Sequence, residues 1–135
     1  MAKLVLTDAA VTVNAVALST RVKSVTIDYS SDLQEDTAMG ATTRSRIGGL
    51  LDWTITLEFY QDFAASNVDA TLFPLVGTTF TVTAKATSAA TSATNPQYSG
   101  TGILESYSPI SGSIGNILMA PVTIRAAGVL SRLTS

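Results

Sequence analysis

Apolar and polar residues alternate with a period of two along several short stretches of this chain, the signature of strands buried on one face. The longest run places Trp53, Ile55, Leu57 and Phe59 on one side and Thr54, Thr56, Glu58 and Tyr60 on the other. Phe80, Val82 and Ala84 oppose Thr79, Thr81, Thr83 and Lys85 in the same way, and β-branched threonine suits the wet side of a sheet. Lys23, Val25, Ile27 and Tyr29 against Ser24, Thr26 and Asp28 predict a third strand. Val11-Thr12-Val13 and Val16-Ala17-Leu18 flank Asn14-Ala15, which predicts a hairpin with Asn in the turn. Two more strands are predicted around residues 102–107 and 118–126, with Pro121 at an edge or a bulge because it lacks an N–H. Ser66 followed by Asp69 reads as an N-cap pair. Val68, Leu72 and Val76 share a helical face, so one short helix is predicted near residues 67–73, ended by Pro74 and Gly77.

Two segments carry no periodicity. Residues 30–52 hold Asp32, Glu35, Asp36, Arg44 and Arg46 among small residues and include Gly48-Gly49. Connections in compact domains run to about 4–6 residues, so this segment predicts a long functional loop. Residues 86–99 are rich in Ala, Thr and Ser, carry no charge and contain Asn95-Pro96, which predicts a second loop. The pattern as a whole predicts one mainly β domain over residues 1–135. Its architecture is expected to be a β-sandwich or partly closed β-barrel of about seven to eight strands with one short flanking α-helix.

Composition sharpens this picture. The chain is 135 residues long, 46% apolar and only 13% charged, against a usual charged share of about 25%. A surface so poor in charge is suited to meeting other protein. Zero Cys and zero His exclude disulfides, thiolate nucleophiles, imidazole metal sites and the Ser-His-Asp and Cys-His hydrolases. A net charge of −2 and a pI near 4.8 exclude an ordinary basic stripe for gripping nucleic acid. Lys3 and the Leu4-Val5-Leu6 run start like a signal peptide, but Asp8 and Asn14 interrupt it. Uncharged stretches are crowded with Ser, Gly, Thr, Asn and Pro, so no membrane association is expected.

The remaining clusters read as structure rather than chemistry. Asp32, Glu35 and Asp36 are oxygen donors without the spacing or mid-loop glycine of a calcium loop. Glu58 and Asp62 lie four residues apart across a strand end, which does not make a catalytic carboxylate pair. Ser113 lies in Ser-Gly-Ser-Ile-Gly, which misses the nucleophile elbow at position 111. Gly100-Thr101-Gly102 and Gly48-Gly49 lack the remainder of a phosphate loop. Arg44 and Arg46 are a weak phosphate site and fit better against acids of a neighbouring subunit. Trp53 belongs on the apolar face of its strand and reads as core. No catalytic, cofactor-binding or metal-binding residue is predicted, and no cofactor.

Asp36-Thr37-Ala38-Met39-Gly40, Thr42-Thr43-Arg44-Ser45-Arg46, Gly49-Leu50-Leu51-Asp52-Trp53, Phe59-Tyr60-Gln61-Asp62-Phe63-Ala64 and Asp69-Ala70-Thr71-Leu72-Phe73-Pro74-Leu75-Val76-Gly77 together resemble the tail tube proteins of long-tailed bacteriophages. Ala93-Thr94-Asn95-Pro96-Gln97-Tyr98-Ser99-Gly100 also fits, so the resemblance spans roughly residues 10–128. It implies a non-enzymatic virion subunit, made in the bacterial cytoplasm, that assembles with itself into stacked hexameric rings and joins other tail proteins. Such a tube conducts double-stranded DNA without binding it specifically. The resemblance also implies an inter-ring role for the 30–52 loop, with Asp36, Met39, Arg44, Arg46, Ile47, Leu50 and Leu51 as candidates. Four strands per subunit, spaced about 4.8 Å and tilted about 40°, would close a six-subunit ring about 48 Å across at the backbone, wide enough for duplex DNA. An uncharged or faintly acidic wall avoids phosphate-neutralising contacts, which makes Thr54, Thr56, Glu58, Thr79, Thr81 and Thr83 candidates for the lumen. Lys85 departs from that pattern. A capsid or tail accessory protein is the competing class. A monomeric carbohydrate-binding sandwich is disfavoured by an aromatic content of only 7%.

Overall fold

The computed structural model describes residues 3–135. Seven strands form one sheet: β1 (Ala10–Val13), β2 (Val16–Ala17), β3 (Val22–Glu35), β4 (Arg46–Tyr60), β5 (Thr79–Lys85), β6 (Gln97–Tyr107) and β7 (Met119–Leu133). Their spatial order is β2-β1-β5-β6-β7-β4-β3, and neighbouring strands run antiparallel. The predicted hairpin is present, with a two-residue turn in which Asn14 (φ 50°) and Ala15 (φ 67°) both adopt left-handed backbone, as a turn matching the strand twist requires.

Alternation in sequence becomes two faces in space. Val11, Val13, Trp53, Ile55, Leu57, Phe59, Phe80, Val82, Ala84, Leu104, Val122 and Ile124 form one buried cluster. The sheet curls around that apolar face without closing. Val25 and Ile27 of β3 line a groove with Ala84 of β5, although β6, β7 and β4 separate those strands in the sheet. Helix α1 (Val68–Leu72) adds Val68 and Leu72 to the cluster.

Several expectations are refined. Asn67, not Ser66, occupies the N-cap of α1, and no side chain caps it. Ser66 instead holds a left-handed backbone (φ 62°). The helix α1 ends at Leu72, ahead of Pro74 as expected, and Pro74 itself sits in a following 3-10 turn, Phe73–Leu75. Pro121 lies opposite Glu58 in a central strand. It is tolerated because its own carbonyl, and hence its missing N–H, faces the end of β6, where Ser108 N–H donates to Pro121 O at 3.1 Å.

The largest departure concerns residues 30–52, expected as an unpaired loop. Most of this segment is paired: Ser30↔Asp52, Ser31↔Leu51, Leu33↔Gly48, Gln34↔Ile47 and Glu35↔Arg46 continue the β3–β4 ladder. Pairing between β4 and β7 begins only at Thr54↔Arg125, so this ribbon stands beyond the sheet as a two-stranded arm. Six residues from Ser30 to Glu35 at about 3.3 Å each give it a reach of roughly 20 Å. The register shift between Ser31 and Leu33 explains why Gly49 is glycine. A Cβ there would lie 2.7 Å from the Asp32 carbonyl oxygen.

Candidate functional site

Three surfaces deserve a functional reading: the arm, the polar face of the sheet, and the end of the sheet opposite the arm. At the arm tip the ladder closes through Glu35, whose Oε1 accepts from Arg44 Nη1 at 2.7 Å. Asp36 N–H donates to Ser45 O at 3.0 Å, and Ser45 N–H donates to Thr37 Oγ1 at 2.7 Å. Arg44 therefore has an acid partner within its own arm. Arg46 opposes Glu35 in the ladder. Met39, Ile47, Leu50 and Leu51, the apolar arm residues singled out from the sequence, are all exposed, and Leu33 joins them.

Register places the six threonine and glutamate candidates on the sheet face opposite the core. Thr54 faces Arg125, Thr56 faces Thr123 and Glu58 faces Pro121. Thr79, Thr81 and Thr83 face Ile103, Thr101 and Ser99. Residues opposite each other in an antiparallel pair share a face, so β3 adds Ser24, Thr26 and Asp28 beside Glu58, Thr56 and Thr54. The face is mostly hydroxyl, and its cations are engaged. Lys23 Nζ lies 4.0 Å from Glu58 Oε2. Arg125 pairs with Glu105 and donates to Thr54 Oγ1 at 3.3 Å. Lys85 Nζ donates to Ala89 O at 2.8 Å, within the 86–96 loop.

At the far end, a polar network ties the helix region to the sheet. Tyr107 O–H donates to Asp69 Oδ1 at 2.8 Å, and Gln61 Nε2 donates to Tyr107 Oη at 3.0 Å and to Pro109 O at 2.6 Å. Burial pushes the Tyr107 phenol up to about 12, with the Gln61 bond working against the rise and the Asp69 carboxylate adding to it. Asp62 accepts from Ala64 N–H at 2.9 Å and from Arg21 Nε at 2.8 Å. These two bonds hold its carboxyl below the usual carboxylate range. The two shifts give opposite pH signs. Asp62 stabilises the fold above its unfolded pKa of about 3.9, and that contribution is lost as pH falls through its lowered folded value. Tyr107 stabilises it below about 10, and that is lost as pH rises toward 12. Tyr107→Phe strands Asp69 and Gln61, so it is expected to lower stability by about 1–2 kcal/mol. It should also flatten the alkaline limb between pH 10 and 12, as measured by urea denaturation across that range.

Sequence reasoning missed the apolar far end. Phe63, Phe73, Val76, Ile110, Ile114 and Ile117 are exposed there. Ile110 and Ile114 lie singly among Ser, Gly and Pro, Phe63 and Ile117 fall outside the alternating and helical runs, and Phe73 and Val76 lie at the end of the helical run or past it, so no periodicity betrayed them. It also missed what Gly100 and Gly102 do. Cβ atoms there would approach Trp53 to 2.8 and 3.0 Å, so the two glycines form a slot for the indole. Trp53 is 2% exposed, and its Nε1–H donates to Gly128 O at 2.9 Å. The pair is a packing device and not a phosphate loop.

Among the described residues no group of three or more His, Cys, Asp or Glu could hold a metal ion. No described helix is long and apolar enough to cross a membrane.

No protein-family profile and no curated protein matches the sequence. Solved structures do. A chain of the virion of a native gene transfer agent particle superposes with a TM-score of 0.72 at 14% identity, over 94% of this chain and 96% of that one. A chain from the tail of an empty gene transfer agent particle with C6 symmetry gives 0.67 at 15%, over 85% and 83%. A chain of the SPP1 tail tube gives 0.69 at 10%, over 95% and 76%. At these identities the likeness is one of fold, and the chain has the fold found in the tail of a gene transfer agent particle and in the SPP1 tail tube.

Proposed function

We propose that this chain is a structural virion protein, the subunit of a phage-type tail tube. It builds hexameric rings that stack into a conduit for double-stranded DNA. The fold shared with chains of assembled tails over most of its length carries this reading. The surface supports it. The accessible area is 8511 Å², whereas a compact monomer of 14.0 kDa presents about 6,700 Å². The excess accompanies a protruding arm and many exposed apolar side chains, surface of the kind an assembling protein covers. The sheet is open, with β3 unpaired along one edge and β2 at the other, and open edges invite lateral pairing between copies. In this reading the chain works by assembly and not by catalysis. Its partners are further copies of itself and other tail proteins, and it resides in the virion after synthesis in the host cytoplasm.

The hydroxyl-rich face carrying Thr54, Thr56, Glu58, Thr79, Thr81 and Thr83 is assigned to the lumen. Its cations already have partners within the chain, which leaves few free charges to displace counterions from passing phosphates. Purified chain at high concentration is expected to form rings or tubes by negative-stain imaging and light scattering. A stable monomer that never assembles, alone or on an initiator complex, overturns the reading.

Glu58→Lys tests the lumen assignment. The position is partly exposed and its contact with Lys23 is long, so stability should change by under about 1 kcal/mol. Six added cations per ring, next to a released Lys23, should slow DNA ejection in a salt-dependent manner while leaving tails of normal length. Wild-type ejection rates at every ionic strength would place Glu58 on the outer wall.

A further inference from the structure

The arm tip and the 108–118 turn at the opposite end of the sheet both expose apolar side chains and both lack net charge. Residues 37–43 at the arm tip are uncharged, and the four charges next to them, Glu35, Asp36, Arg44 and Arg46, cancel. Met39 at the tip is fully exposed. At the far end, residues 108–118 carry no charge, and Ile114 projects fully exposed from their turn, flanked by exposed Ile110 and Ile117. The turn is held to the body at Ser111, where Met119 N–H donates to Ser111 O at 3.0 Å, and Ser113 O accepts from Asn116 N–H at 3.1 Å. It is thus a built surface, with Phe63 and Phe73 exposed at the same end of the sheet.

Both patches belong to the line of β4. Its 15 residues span roughly 50 Å, with the arm at the Arg46 end. Tyr60, paired with Met119, lies at the other end beside the 108–118 turn. Two different patches at opposite ends of one subunit fit a heterologous, head-to-tail contact that repeats along an axis. An uncharged tip entering the uncharged 108–118 turn buries no unpaired ion, which is the costly event in such a contact.

We propose that the surface formed by Phe63, Phe73, Ile110, Ile114 and Ile117 is the receptor for the arm tip of a second copy of this chain in the adjoining ring. This assignment rests on the tail-tube reading. It adds the acceptor and the polarity of stacking, in which every arm points toward the far end of a neighbour.

The chain contains no Cys, so introduced thiols report one contact each. Met39→Cys and Ile114→Cys chains, prepared separately, mixed, assembled and treated with a short bismaleimide, are expected to give covalent dimers only from the mixture. A single chain carrying both changes should give a ladder of multimers. Assembled tubes without the mixed cross-link, or a strong cross-link from either variant alone, overturn the acceptor assignment and leave the tube reading standing. A wild-type chain that stays monomeric, both alone and on an initiator complex, overturns the tube reading itself. Ile114→Asp provides a second arm to the test. It is expected to keep the wild-type melting temperature and halt growth at single rings, and long tubes from this variant would refute the acceptor surface.

Discussion

Gly102→Ala is expected to lower the melting temperature by roughly 5–10 °C, an outsized effect for one methyl group. The new Cβ would lie 2.5 Å from Ile124 Cγ2, 3.0 Å from the Arg125 carbonyl oxygen and 3.0 Å from Trp53 Cη2. None of these yields easily. Ile124 is fully buried, Arg125 contributes backbone, and the indole is anchored through its bond to Gly128 O. Overpacking of this kind costs about 1–3 kcal/mol, and for a chain of this length each kcal/mol corresponds to a few degrees. Gly112→Ala is the matched control. Its nearest neighbour would be at 3.6 Å, an ordinary contact, so its melting curve by circular dichroism should overlay the wild type. If Gly102→Ala melts with the wild type as well, the Trp53 slot is looser than its geometry implies.

Deleting residues 36–47 is expected to abolish tubes while leaving the subunit folded. The deletion joins Glu35 to Gly48, and Gly48 already pairs with Leu33. The shortened ribbon therefore closes through Gln34-Glu35 as a two-residue hairpin turn, without disturbing the register below it. It removes Met39, Arg44, Arg46 and Ile47, all of them exposed, so no core contact is lost. The melting temperature should stay within about 3 °C, since exposed substitutions shift stability by about 0.5 kcal/mol. Negative-stain images should show rings at most. Long tubes from the deletion variant would mean that the arm does not join rings.

Strand identity was legible wherever one face was buried. Trp53 to Tyr60 and Thr79 to Lys85 show period-two alternation because core on one side and water on the other impose it. The same logic explains why the arm was read as a loop. Residues 30–35 and 46–52 are exposed on both faces, so nothing selects alternation there, although their backbones pair with each other in a two-stranded ladder. The extension of β7 to Leu133 was hidden for a related reason. Between Gly100↔Leu130 and Gly102↔Ala126 the register shifts, and the extra residues 127–129 break the period.

The candidate sites divide along the same line. The choice of Thr54, Thr56, Glu58, Thr79, Thr81 and Thr83 as one wet face needed only alternation within each strand, and register then brought the two groups onto a common surface. That Lys85, Lys23 and Arg125 are engaged by Ala89, Glu58 and Glu105 depends on which strands are neighbours. Strand order is a non-local property that no local period encodes. By itself the sequence determined the class of fold, the buried face of each half-buried strand, the Asn14 turn and the absence of thiol and imidazole chemistry, all consequences of side-chain type and spacing. Only the tertiary structure decided that residues 30–52 form a paired arm, that Gly100 and Gly102 exist to seat Trp53, and that exposed isoleucines collect at the end opposite the arm, because each depends on residues brought together from distant parts of the chain.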